Sequence, residues 1–242
     1  MNIIALTDIG LVRAKNQDSF FSSNEYDFPL FIMADGMGGH NGGEIASSDA
    51  INIIKEIFLN NKEKLTNKKN IRNTIYNAIE KANSVIYKKS LELPEYNGMG
   101  TTISLCYIFK NHIFIGHVGD SRIYKIGNDS IIQLTEDHSL VNELIKKNEI
   151  TKEEAKNHPQ KNMITRAVGT SFDIEIDIIE SNYKKEDKLL LCTDGLFNMV
   201  YEDQIFEIIK DNISIIDAGE KLIERAKKNG GLDNISLIII EF

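Results

Sequence analysis

Residues 29–34, Pro-Leu-Phe-Ile-Met-Ala, form an apolar run that stops at Asp35 and is followed at once by Gly36, Gly38, Gly39 and His40. A run so short and unbroken reads as a buried strand. Its end brings a carboxylate to the rim of a sheet. The glycines lack Cβ, so the backbone beyond can turn sharply and approach a ligand closely. The Gly36 carbonyl could face a cation beside the Asp35 carboxylate. Taken alone, the stretch is equally a strand and a Gly-rich turn with Asp35 in solvent. The choice depends on whether other strands bring carboxylates to the same place.

Along the chain, residues 3–7 predict a strand ending in Asp8 and Gly10, and residues 19–23 a second strand after the polar stretch 13–18. These two read as a hairpin-like pair. Residues 44–60 and 71–91 carry apolar side chains at helical spacing and predict a pair of surface helices. The period then changes. Residues 103–109, 112–118, 123–126 and 130–135 are short strands joined by tight turns, which predicts an antiparallel meander. Residues 139–165 differ: a helical stretch is followed by the capping-box pattern Thr151-Lys152-Glu153-Glu154 and a stop at His158-Pro159. This segment is expected to be a small helical flap. Strands resume at 172–180 and 188–193, helices at 202–211 and 215–228, and a final strand at 235–242.

Two helix pairs and about ten strands predict an α+β fold, a four-layer α/β/β/α sandwich of two packed antiparallel sheets flanked by helix pairs. No composition shift divides the 242 residues, so one domain over 1–242 is expected. A formal net charge of -8 speaks against a nucleic-acid surface. No apolar stretch approaches the ~20 residues of a membrane span, and the first residues lack a signal-peptide pattern. A cytoplasmic protein is expected. Cys106 and Cys192 lie in apolar strand runs without metal-ligand spacing and are expected to be buried, reduced thiols.

Asp8, Asp35, Asp120 and Asp194 each follow an apolar strand, and Asp18 and Asp233 each come just before one. Aspartates at strand ends, with no clustered histidine or cysteine, predict an all-oxygen site for a hard cation such as Mg²⁺ or Mn²⁺ rather than zinc. Gathered carboxylates would repel one another unless divalent cations neutralised them.

RAKNQD at 13–18, ADGMGGH at 34–40, GMGTT at 98–102, GHVGDSR at 116–122, TEDHS at 135–139, ITRAVG at 164–169, CTDGL at 192–196 and GGLDNIS at 230–236 together resemble the motifs of the metal-dependent Ser/Thr protein phosphatases, the PPM or type 2C family. The likeness is greatest to short bacterial members that consist of the catalytic domain alone. The resemblance implies an α/β/β/α sandwich and hydrolysis of phosphoserine and phosphothreonine by metal-activated water, with no phosphoenzyme. It implies that Asp35 bridges two core metals, that the Gly36 carbonyl holds the first, and that Asp194 and Asp233 complete the second. Asp120, with Asp194, would hold a weaker third metal, and Asp18 would bind through metal-coordinated water. Arg13 would grip the substrate phosphate, and Asp8 would serve as a turn residue or orient Arg13. Asn16, Gln17, Thr193 and Asn234 would support the site. His40 is the candidate general acid for the leaving alkoxide. His112, His117, His138 and His158 are expected to be structural, with His138 and His158 nearest to substrate. Phosphorylated proteins and an opposing Ser/Thr kinase are the implied partners, and a monomer is expected. The alternative is a phosphoprotein-binding pseudophosphatase on the same fold; retention of Asp35, Asp194 and Asp233 together argues for activity.

Overall fold

A computed structural model of the chain describes residues 1–23, 28–38, 42–212 and 214–242. The elements are β1 (Asn2–Asp8), β2 (Asp18–Ser22), β3 (Leu30–Met37), α1 (Gly42–Asn60), α2 (Lys68–Glu92), β4 (Gly100–Thr101), β5 (Ile103–Phe109), β6 (His112–Val118), β7 (Arg122–Ile126), β8 (Ile131–Gln133), α3 (Leu140–Lys146), α4 (Lys152–Lys156), β9 (Asp177–Asn182), β10 (Lys188–Cys192), α5 (Asp194–Phe197), α6 (Glu202–Asp211), α7 (Ile215–Lys228) and β11 (Ile235–Glu241).

The strands form two antiparallel sheets, ordered β1-β11-β10-β7-β8 and β2-β3-β5-β6-β9, with β4 paired to β3. Strand alternation decides what each side chain covers. Leu30, Ile32 and Ala34 of β3 face α1 and α2, where Ala46, Ala50, Ile54, Ile75, Ile79 and Ala82 receive them. Phe31 and Met33, on the opposite face, meet Leu189, Leu191, Ile238 and Ile240 of the other sheet. Leu190, Cys192, Leu237 and Ile239 point outward again, to Ile205, Ala218, Leu222 and Ala226 of α6 and α7. The apolar content thus divides into three cores between four layers, the expected α/β/β/α sandwich. Small residues let the layers close: a Cβ on Gly116 of β6 would come within 2.3 Å of Ile75 in α2. Both cysteines are free and buried. Among the described residues, no helix is long and apolar enough to cross a membrane.

Two expectations fail in an informative way. β1 and β2 are not a hairpin: β1 pairs with β11 and β2 with β3, in different sheets. The predicted meander is likewise divided, because β5 and β6 pair in one sheet and β7 and β8 in the other. Both are crossings between sheets, and both connecting loops carry residues singled out above. A third strand is displaced: β9 begins at Asp177 rather than near 172, because residues 172–176 do not join the sheet. The flap contains α3, capped by Ser139, and α4, whose capping box between Thr151 and Glu154 is present.

Candidate active site

Where the chain passes between sheets, the aspartates come together. Asp18 opens β2 and stands directly opposite Asp35 in β3. Strand β3 continues beyond Asp35, since Gly36 and Met37 pair with Thr101 and Gly100. The backbone of Asp35 is held from both sides. Its N–H donates to Thr102 Oγ1 at 2.9 Å, and its carbonyl accepts from the Thr102 N–H at 2.8 Å and from Thr101 Oγ1 at 2.9 Å. A Cβ on Gly36 would lie 2.1 Å from the Gly43 carbonyl oxygen, so glycine here is what lets the first turn of α1 approach the strand.

Asp120 is carried by the turn from β6 to β7, after Gly119, whose φ of +108 favours glycine. Asp194 is the first residue of α5, a short helix absent from the sequence reading, and Oδ2 accepts from Asn198 Nδ2 at 3.1 Å. Asp233 precedes β11, and its Oδ2 accepts from Arg13 Nη2 at 2.7 Å. Asp18 Oδ2 accepts two hydroxyl hydrogens, from Thr193 at 2.9 Å and from Ser236 at 2.7 Å.

The electrostatics are those of an acidic cluster enclosed by protein. Burial holds the Asp35 acid well above its ordinary range, and the charges of Asp18, Asp194, Asp120 and Asp233 add to the effect. Burial also raises Asp18, against the pull of its two hydroxyl partners. Asp120 is raised by burial and by Asp194 and Asp137; Asp194 is raised by burial and by Asp233, while Arg13 and Arg122 oppose the shift. Hard divalent cations suit such an oxygen-rich set, because they supply the missing positive charge. Among the described residues, no three His, Cys, Asp or Glu side chains are already drawn into a ready-made ligand group. Arg13 holds Asp233, and hydroxyls hold Asp18, so a cation would compete with these partners.

The supporting residues fall as follows. Asn234 ties two loops together: Oδ1 accepts from the Gln17 N–H, and Nδ2 donates to the carbonyls of Ile9 and Lys15. Asn16 donates to Thr7 Oγ1 and accepts from the Asp18 N–H. Asp8 is a turn residue, accepting from the Gly10 N–H at 2.8 Å and from Lys227 at 2.7 Å, with no bond to Arg13. His138 is buried; Nδ1 accepts from the Gly119 N–H at 3.0 Å, and the ring faces Asp177 and Arg166. His138 thus braces the Asp120 turn and is turned away from solvent. His117 is fully buried, with Nε2 donating to the Glu136 carbonyl at 3.0 Å. His158 accepts from the Gln160 N–H within its own turn. His40 lies outside the described residues.

Arg122 and Asp137 lie in the motifs at 116–122 and 135–139, and the structure joins them. Arg122 Nε and Nη2 bind the Asp137 carboxylate, with Nη2 at 2.7 Å, while Nη1 donates to Tyr124 Oη. Its guanidinium lies over Phe197 of α5, 3.8 Å from the ring centre. This pair fixes β7, the loop after β8 and α5 around Asp120 and Asp194. Spacing could not reveal it, since Asp137 in a polar loop looks like a solvated charge.

The family profile of protein phosphatase 2C matches residues 12–231. The chain is 38% identical over 236 residues to a serine/threonine phosphatase stp of Listeria welshimeri, covering 97% of this chain and 93% of that protein. It superposes on the crystal structure of the serine/threonine phosphatase Stp1 from Staphylococcus aureus with a TM-score of 0.93, at 36% identity and covering 99% of this chain and 94% of that one. A further likeness, TM-score 0.85 at 30% identity over 98% of this chain and 96% of that one, is to the catalytic domain of the serine threonine protein phosphatase PstP in complex with 2 manganese ions. Sequence and fold agree over nearly the full length, and the chain belongs to the metal-dependent protein phosphatase 2C family of enzymes.

Proposed function

We propose that this chain hydrolyses phosphoserine and phosphothreonine in proteins by direct attack of water, with Mn²⁺ or Mg²⁺ held by its aspartate cluster. The observation that carries the reading is the buried Asp35 carboxylate, directly opposite Asp18 and within the electrostatic influence of Asp194, Asp120 and Asp233. The names of its relatives support Ser/Thr phosphatase activity. The non-catalytic alternative is not carried forward, because the acids that separate the two readings are all retained.

In this proposal Asp35, the Gly36 carbonyl, Asp194 and Asp233 are the residues that would hold two cations. Asp120 with Asp194 would hold a weaker third, and Asp18 would bind through metal-coordinated water. When bound, such cations lower the pKa of water and neutralise phosphate charge. The threonines of β4 and its neighbour, Thr101 and Thr102, keep Asp35 in place by holding its backbone. Arg13 spends one N–H on Asp233 and has others for the phosphate oxygens. His40 is assigned the proton for the departing alkoxide. Both cysteines are buried, and burial pushes both thiols up, so neither offers a thiolate nucleophile. The whole of 1–242 is read as one catalytic unit, with 139–165 as its flap and a Ser/Thr kinase as the opposing enzyme. Turnover of a phosphothreonine peptide with Mn²⁺, abolished by a chelator and restored by added metal, is the expected result. Turnover that persists in excess chelator contradicts the proposal.

A further inference from the structure

Two loops meet beside Arg13. The Leu11 N–H donates to the Gly231 carbonyl at 2.8 Å, joining the loop after β1 to the loop before β11. Gly10 has φ +79, and a Cβ there would fall 2.2 Å from the Asp233 carbonyl oxygen. Together with the Arg13–Asp233 pair and the two bonds of Asn234, these contacts fix one loop against the other.

The fixed loops present apolar side chains to solvent. Leu11 is 63% exposed, Val12 64% and Leu232 57%. Leu11 and Leu232 flank Gly230 and Gly231. A Cβ on Gly231 would meet Leu11 Cγ at 3.0 Å, and one on Gly230 would meet Leu232 Cγ at 3.5 Å and Met199 Sδ at 3.6 Å. A single exposed leucine needs no explanation, but a contiguous group on a pinned surface marks an interaction site. The carboxylates flanking the rim are already paired, Asp233 with Arg13 and Asp8 with the Gly10 N–H and Lys227.

We propose that Leu11, Val12 and Leu232 form a docking rim for an aliphatic or aromatic side chain within two positions of the phosphorylated residue of the substrate. The inference rests on the phosphatase reading above. Its support is continuity with the phosphate grip. Val12 and Leu11 are one and two residues from Arg13, with Cα atoms at most about 7 Å from its Cα, and Leu232 precedes Asp233, whose carboxylate holds the Arg13 guanidinium. An extended substrate advances ~3.3 Å per residue, so the same span covers two of its positions. A phosphate at Arg13 therefore leaves a flanking side chain over the rim.

The test uses two phosphothreonine peptides that differ only in carrying Leu or Asp at the positions flanking the phosphothreonine, with an aryl phosphate as a substrate that lacks flanks. With Mn²⁺, the wild-type protein should prefer the Leu peptide by about five- to tenfold in kcat/KM, mostly through KM. In the Leu11→Ser/Leu232→Ser double variant the preference should disappear while aryl phosphate turnover stays within about twofold, which also reports that the variant is folded. Val12→Ser should give a partial loss. Equal kcat/KM for both peptides in the wild type, or a preference kept by the double variant, overturns the rim alone. Failure of the wild type to hydrolyse either peptides or aryl phosphate overturns the phosphatase reading and the rim with it.

Discussion

Arg13, the residue proposed to grip the substrate phosphate, already has its Nη2 bonded to Asp233 at 2.7 Å. Its side chain is half exposed, and Asp233, followed by Asp194 and Asp35, favours the charged guanidinium. In the proposed role it would bind substrate before and during attack, and it would compete with a cation for Asp233. Arg13→Ala should raise KM more than it lowers kcat, and should leave Mn²⁺ affinity equal or higher, as steady-state kinetics and calorimetry would show. A normal KM with a collapsed kcat would place Arg13 in the transition state only. The acids themselves were legible from sequence because each sits where an apolar run begins or ends. Thr102, which holds the Asp35 N–H, was not, since a threonine entering a strand is ordinary there and its function comes from a partner 67 positions away.

At the scale of elements, the site depends on the two crossings between sheets, 8–18 and 118–122. Apolar periodicity located the strands themselves well, β3, β5 and β11 among them. It could not assign strands to sheets, because pairing is decided by distant partners: the first strand pairs with the last. Short connections therefore looked like hairpins. The Arg122–Asp137 pair braces the second crossing, and Gln133 adds a further bond to Asp137 at 2.8 Å. Both side chains are mostly buried, so removing the cation leaves an uncompensated carboxylate. Arg122→Leu should cost roughly 3 kcal/mol in urea unfolding. It should also lower activity, because α5 and the Asp120 turn lose their shared anchor. Wild-type stability in this variant would show that the pair is incidental.

For the whole molecule, pH acts in two opposing senses. The raised acids favour the folded state at lower pH, whereas His117 favours it at higher pH. Burial, with a smaller contribution from His138, pushes His117 down to about 4 from its ordinary value of 6.5. Below pH 6.5 the unfolded chain takes a proton that the folded ring refuses until about pH 4, so the stability due to neutral His117 is lost across that window. His117→Asn removes this term and keeps a donor for the Glu136 carbonyl. The melting-temperature advantage of wild type over that variant should shrink by about 4–8 °C between pH 8 and pH 5, equivalent to about 2 kcal/mol. An advantage that does not change with pH would refute the assignment. The two sheets, built on three apolar cores, carry one acidic cluster at their crossings, and its response to metal tests the phosphatase reading most directly. Calorimetric titration of Mn²⁺ into the wild type and into Asp35→Asn should give tight binding in the first, and in the second a loss of at least tenfold in affinity while the protein remains folded. Equal Mn²⁺ affinity in the two proteins would contradict it.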